Sequence, residues 1–457
     1  MPPDAPPDTP GDTTFDTPPD SSADTTFDVP PDTTADATVD VDSSVDGSVD
    51  STVDTTVDTT ADSSADSTAD SSVDSTFDLP PPDTTVDSSA DSTADASLDS
   101  TADASLDSSV DSTTDADFSV DSEVDSNNDF GPPPDASTSF GLGVETLAGW
   151  YNPGNADGTR YAASFNNPVN VTIGPGGDIW VADFDNHIIR RITAAGVVTT
   201  VGTPSATFKW PFGIAFVGTT LYVETDVEST GAASQGALWR VDTTTGARTL
   251  VADQIGKARG LVPLSNGNIV LIYPDQHRIA IFDPGTTMST PLAGTAGMAG
   301  YVNATGAAAR FNNPYDGVIV TNGDLIVTDR GNHRLRRVTM AGVVTDFAGT
   351  GVASSTDGPV ATATFNSPLA LCRDSSDNIF VTDADGYVIR KITSAGVVST
   401  VAGDGVPGVI DAVNPLQGRF YGLEGLDCSS NGLLLYVADG NRGDPLQYNR
   451  IRRVAFP

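Results

Sequence analysis

The stretch Asp183-Phe-Asp-Asn-His-Ile-Ile-Arg-Arg-Ile-Thr-Ala-Ala-Gly-Val-Val-Thr199 returns twice with small changes. It reads Asp329-Arg-Gly-Asn-His-Arg-Leu-Arg-Arg-Val-Thr-Met-Ala-Gly-Val-Val-Thr345 and then Asp383-Ala-Asp-Gly-Tyr-Val-Ile-Arg-Lys-Ile-Thr-Ser-Ala-Gly-Val-Val-Ser399. Self-similarity at a spacing of about 40 to 60 residues is the mark of a propeller or a solenoid. A residue that recurs in several copies is there to build the copy. The repeat therefore speaks for architecture and hardly at all for a ligand.

Working outward, each copy divides into four short strands. Val169 to Ile173 forms the first, the turn Pro175-Gly-Gly-Asp178 follows, and Ile179 to Asp183 forms the second. Ile188 to Thr193 and Val197 to Val201 complete the unit, with turn residues between β-branched runs and apolar–polar alternation in the third strand. Pro168 to Asp183, Pro211 to Asp226, Pro314 to Asp329 and Pro368 to Asp383 keep one spacing. Tyr273 replaces the acid in a drifted third copy, and Leu435 to Asp439 with Asn449 to Val454 supplies a sixth. The sixth stops at Pro457 without its Gly-Val-Val-Thr strand, and Val144 to Gly149 looks like that missing strand. The expectation is an all-β, six-bladed β-propeller of four-stranded antiparallel blades, with the N-terminal strand closing the last blade. Closure protects edges that an open array exposes.

These residues also carry a resemblance. The pattern Asp-x-x-Asn-His-x-Ile-Arg-Arg-Ile-Thr, preceded by Phe165-Asn-Asn-Pro168 and followed by Gly-Val-Val-Thr, resembles the NHL repeat. The likeness spans about residues 141–457, strong in blades one, four, five and six and weaker in two and three. It implies a six-bladed propeller that serves as a binding platform for proteins, RNA or cell-wall ligands, with a minority of members being enzymes. Fold alone does not choose among these.

The formal charge of −40 is confined to one end. Residues 1–140 hold 35 acidic residues and no Lys, Arg or His, while the remainder, with 27 acidic and 22 basic residues, is near −5. Asp recurs nearly every fourth residue among Ser, Thr, Ala and Val. Such a chain buries too little apolar surface to offset ordering, at roughly 1–2 kcal/mol per residue. The division is thus 1–138, a disordered Asp/Ser/Thr-rich spacer, and 139–457, the propeller. A coil of that length spans roughly 65 Å. Weak Ca²⁺ binding or a modified Ser/Thr-rich stalk are sharper readings of the spacer, though no calcium-loop signature is present.

Three histidines, His187, His277 and His333, are enough for a zinc site. They occupy one repeat position and so spread around the ring, which makes them structural. Amidating-lyase relatives of the fold place zinc-binding His on inner strands, where this chain has none. The acids Asp183, Asp226, Asp329, Asp383 and Asp439 end strand two and are read as bonding local backbone, as are Asp157, Asn303 and Asp357. No metal ligands and no catalytic residues are assigned.

Better functional candidates are the connections from fourth to first strands, about 150–164, 295–310, 350–364 and 404–419, with insertions after Asp226 and Asp439. On the face they share with the strand two–three turns lie Trp150, Tyr151, Arg160, Lys209, Trp210, Tyr301, Arg310, Tyr387, Arg419 and Tyr448. Aromatic and Arg residues anchor interfaces, and they equally pack blade junctions. Cys372 and Cys428 fall on the inner strands of blades five and six, either bridged or as two buried thiols; a one-residue slip would turn one away.

The leading expectation is a non-catalytic module binding a protein or cell-envelope ligand, displayed as a monomer on an acidic spacer. The alternatives are a metal-dependent lyase or hydrolase of the propeller type and a structural envelope component. Nucleic acid is disfavoured by the acidic balance. No run reaches the 18–20 apolar residues of a membrane span. Met1-Pro-Pro-Asp4 lacks the basic region and apolar stretch of a leader. The composition points to the extracellular side or cell surface, with a cytoplasmic location as the alternative.

Overall fold

The computed structural model describes residues 140–227, 235–443 and 448–457. The 1–138 spacer and parts of the insertions after Asp226 and Asp439 lie outside the described residues. The described chain folds into six antiparallel sheets. In blade one the strands run outward from the channel as Pro168–Ile173, Ile179–Asp183, Ile188–Ile192 and Val197–Val201, with the short strand Gly158–Thr159 added outside. Blade five has the same extra edge, Gly358–Pro359. The turn into strand two is set by Gly177 at φ 85° and by the Gly174 N–H donating to Asp178 O at 2.8 Å, a conformation that a side chain strains.

Six apolar clusters hold the ring, each shared by two neighbouring blades. The closing strand is Gly143–Trp150, which pairs antiparallel with Asn449–Ala455 from Gly143↔Ala455 to Trp150↔Asn449. It supplies Val144 to the cluster between blades five and six, and Leu147 and Ala148 to the one between six and one. The predicted closure is therefore present in both hydrogen bonding and packing.

The recurring acid and arginine form one buried device. Arg190, Arg336, Arg390 and Arg452 are wholly buried and donate to Asp183, Asp329, Asp383 and Asp439 at 3.0, 2.7, 3.0 and 2.9 Å. Their other Nη reaches Asp157, Asn303, Asp357 and Asp411 in the incoming connection, at 2.9, 2.5, 2.8 and 2.6 Å. Each guanidinium lies over a phenylalanine, Phe165, Phe311, Phe365 or Phe420, and each aspartate also accepts a backbone N–H from the residues just before the inner strand. One pair thus ties strand two, strand three and the entry loop together. Burial pushes the Asp183 carboxyl up to about 6, against the pull of Asn186, Arg190 and the Asn166 N–H. Such pairs fix geometry more than they add stability.

Blade two corrects the sequence reading of Asp226. Pro211 pairs with Thr225, whereas Pro168, Pro314 and Pro368 pair with Asp183, Asp329 and Asp383. Thr225 holds the acid's place and Trp239 the arginine's, and Asp226 lies one residue beyond the strand. In blade three the same two places hold Tyr273 and Ala280.

The histidines join blades. His187, His277 and His333 sit in left-handed turns at φ 60°, 54° and 52°. Their Nδ1 atoms accept the backbone N–H of Trp210, Asn313 and Ser367, the residue before the opening proline of the next blade, at 3.2, 3.1 and 3.1 Å. At the six–one junction Asn449 Oδ1 accepts the Asn167 N–H at 2.7 Å. Cys372 and Cys428 are joined, with Cα atoms 5.8 Å apart. They stand one register position apart on neighbouring inner strands, opposite Phe380 and Leu435.

Candidate functional site

The Asp–Arg ties run from strand two to the entry connections, so those connections and the strand two–three turns occupy one face. Three of the sequence-predicted residues meet there. Trp150 ends the closing strand, Tyr151 follows it, and Tyr448 precedes its partner strand. Trp150 lies edge-on to Tyr151 and to Tyr161, with centroids 5.0 and 5.2 Å apart. Tyr448 lies 6.4 Å from Tyr151 and 4.3 Å from Tyr421. Beneath them Arg450 sits 4.8 Å from the Trp150 ring and 4.2 Å from the Tyr151 ring.

Arg450 is only 4% exposed, and its Nε and Nη2 have no hydrogen-bond partner among the described residues. Burial, helped by nearby Arg452, lowers its affinity for its proton, while Tyr151 opposes this. A buried guanidinium with unused donors is costly. The rings above it offer cation–π compensation. Tyr151 is 37% exposed, so the patch reaches solvent.

The other predicted residues are dispersed. Arg160 is buried beneath the closing strand and donates to Thr146 O at 3.2 Å, with Phe140 and Tyr161 alongside. Trp210 packs edge-on to His187 at 5.3 Å. Tyr301 donates to Asp346 at 2.6 Å under the Arg334 guanidinium. Arg310 braces its own loop through Ala307 O and Ala309 O. Tyr387 takes the left-handed turn position that histidine holds in other blades, and Arg419 pairs with Asp404 at 2.7 Å. Tyr161, Tyr421 and Arg450 were not anticipated from sequence.

A second constellation surrounds the axis. One residue per blade occupies the start of the inner strand: Val169, Phe212, Arg259, Tyr315, Leu369 and Glu424. These six share a position and differ in identity, two aliphatic, two aromatic, one basic and one acidic, the opposite of the repeat. Arg259 binds Asp226 through both oxygens at 2.5 and 3.0 Å and lies 4.0 Å over Phe212. Deeper in the channel a cavity of about 410 Å³ is lined by apolar residues such as Ile173, Phe216 and Leu261, together with Asp316 and Asp427. Those two acids accept backbone N–H groups of the next blade, from Leu371 at 2.9 Å and Ile173 at 2.7 Å. Burial, with a contribution from Asp427, raises the Asp316 carboxyl to about 7.

Among the described residues no three His, Cys, Asp or Glu side chains gather as a metal-binding group, and no helix is long and apolar enough to cross a membrane. A family model described as the NHL repeat matches residues 165–192. No curated protein matches the chain. Among solved structures, a protein of unknown function from Bacteroides thetaiotaomicron is similar at 20% identity and TM-score 0.55, covering 68% of this chain and 75% of its own. An auxiliary nutrient binding protein from Bacteroides ovatus is similar at 16% identity and TM-score 0.54, over 69% and 77% of the two chains. Another so described, from Bacteroides thetaiotaomicron, gives 18% identity and TM-score 0.53 over 68% and 75%. At these identities the likeness is one of fold: the chain is a six-bladed propeller carrying an NHL repeat.

Proposed function

We propose that the chain is a non-catalytic binding propeller whose loop face captures a protein or cell-envelope ligand through the aromatic patch at the closure junction. The observation that carries this reading is Arg450, buried with two unused donor atoms under Trp150 and Tyr151. Trp, Tyr and Arg are the anchors that dominate interface energetics, and rings with polar tips suit ligands that bring flat apolar faces, as sugars and aromatic side chains do. Two structures of similar fold are described as nutrient binding proteins, a role within the reach of this architecture. The Cys372–Cys428 bridge fits an oxidising compartment, in keeping with display on the cell surface by the acidic spacer.

The test is retention of an envelope fraction by the immobilised protein. Tyr151→Ser/Tyr448→Ser is expected to lose most of what the unaltered chain retains, with an unchanged melting temperature. Equal retention by both proteins overturns the reading. Turnover of a retained component would replace it by the enzyme alternative.

A further inference from the structure

The channel mouth has an unusual charge inventory. Asp226 takes Arg259 at 2.5 Å and Lys257 at 3.6 Å, while Glu224, buried behind it, faces the same two cations. Arg442 is paired with Asp385 at 2.8 Å. Asp185 is held by the Asn167 side chain. Two groups remain. Glu424 has a buried Oε2 with no hydrogen-bond partner among the described residues. Arg330 makes no ion pair among them, and its guanidinium lies 5.9 Å over the Tyr315 ring. Both belong to the mouth: Glu424 stands at the ring position that Phe212 and Tyr315 hold in their blades, and Arg330 lies over Tyr315; burial raises the Glu424 carboxyl to about 7 against the pull of Arg442, Arg259 and Arg330.

Between these groups the wall is aromatic. Phe184 lies 5.8 Å from Phe212, and Phe212 lies 6.0 Å from Tyr315. The rings belong to the apolar cluster between blades one and two, whereas the charges stand outside the repeated Asp–Arg framework. Glu424 and Arg330 stand where the other blades have unlike residues, and Asp226 reaches the mouth only because blade two is displaced by one position. Residues that depart from a repeat are the ones free to serve something other than its construction.

We propose that the mouth binds a small zwitterion of amino-acid type, its ammonium on Glu424, its carboxylate on Arg330 and its apolar side chain against Phe212 and Tyr315. A lone anion or cation would satisfy one unused group and leave the other. A dipolar ligand satisfies both.

Calorimetric titration of the full chain tests this with leucine and phenylalanine, their N-acetyl derivatives and their amides. At least one free amino acid is expected to bind, with affinity falling tenfold or more when either end is blocked. Glu424→Gln should abolish the distinction between free and N-acetylated forms. Arg330→Gln should abolish the distinction between free acid and amide. Each variant is compared at matched melting temperature, with Tyr151→Ser/Tyr448→Ser as a control that keeps zwitterion binding. Failure of both amino acids to bind, indifference to blocking, or full discrimination by the Glu424→Gln protein overturns the proposal.

Discussion

The indole Nε1 of Trp239 donates to Thr225 Oγ1 at 2.9 Å, in the place of blade two where blades one, four, five and six set a buried arginine against a buried aspartate. Phe208 packs edge-on to the indole at 5.9 Å, as Phe165 packs under Arg190 in blade one. A neutral hydrogen-bonded pair thus substitutes for an ionic one without loss of the four-stranded blade.

The two solutions should fail differently. Arg336→Leu strands Asp329 as a buried, uncompensated acid and is expected to cost about 3–5 kcal/mol. Trp239→Phe leaves Thr225 still able to donate to Val227 O and is expected to cost less, roughly 1–3 kcal/mol. Urea unfolding of the two variants measures the difference. A larger loss in blade two would reverse the argument.

Stability should fall as pH rises from 5 to 8. Asp316 and Glu424 are raised to about 7 and Asp183 to about 6, above the ordinary carboxylate values near 4. A raised folded-state value contributes stability that is complete below the unfolded value and disappears as pH passes the folded one. Asp316→Asn keeps an acceptor for the Leu371 N–H and cannot ionise, so its urea midpoint should decline less over that window. Parallel declines in the two proteins would exclude Asp316 as a source.

Reduction should weaken the ring. The Cys372–Cys428 bridge spans a sequence separation of 56 residues. Chain-entropy reasoning gives such a loop about 4 kcal/mol. Dithiothreitol should bring the melting temperature of the unaltered protein down to that of Cys372→Ala/Cys428→Ala and leave the variant unmoved. Insensitivity of both would mean that the bridge adds nothing.

Truncation separates spacer from ring. Removing residues 1–138 should leave melting unchanged. Removing 1–150 also deletes Val144, Leu147 and Ala148 from two apolar clusters. Burying a Val or Leu side chain contributes about 1.5–3 kcal/mol each, so the shorter protein should melt well below the other. Equal melting would contradict closure by the N-terminal strand.

Blade number, strand order and the closing segment were legible because repetition shows them several times. Asp226 was misplaced because sequence spacing cannot reveal a shift in strand pairing, and Pro211 to Asp226 counts the same as Pro168 to Asp183. The aromatic patch was half legible: Trp150, Tyr151 and Tyr448 were named, while Tyr161, Tyr421 and Arg450 were not. Its one available signal was the closure itself, which sets Trp150 opposite Asn449 and brings Arg450 beneath it. The mouth ring left no pattern, since no two of its six residues are of the same type. Only the shared position, visible after the strands are paired, unites them.

The first strand of the ring to be synthesised is paired with the last: Glu145 and Arg453 meet across 308 residues of sequence. At the usual pace of translation, about 5–20 residues per second, Gly143–Trp150 waits roughly 15 to 60 seconds after leaving the ribosome. Throughout that interval its edge is open, and Leu147, which blade one can cover from one side, lacks Tyr436, Ala438 and Ile451 of blade six on the other. An open edge is a template for another chain. Neighbouring ribosomes on one message hold such chains side by side, and an exchange of closing strands between them is the misassembly that this order of synthesis invites.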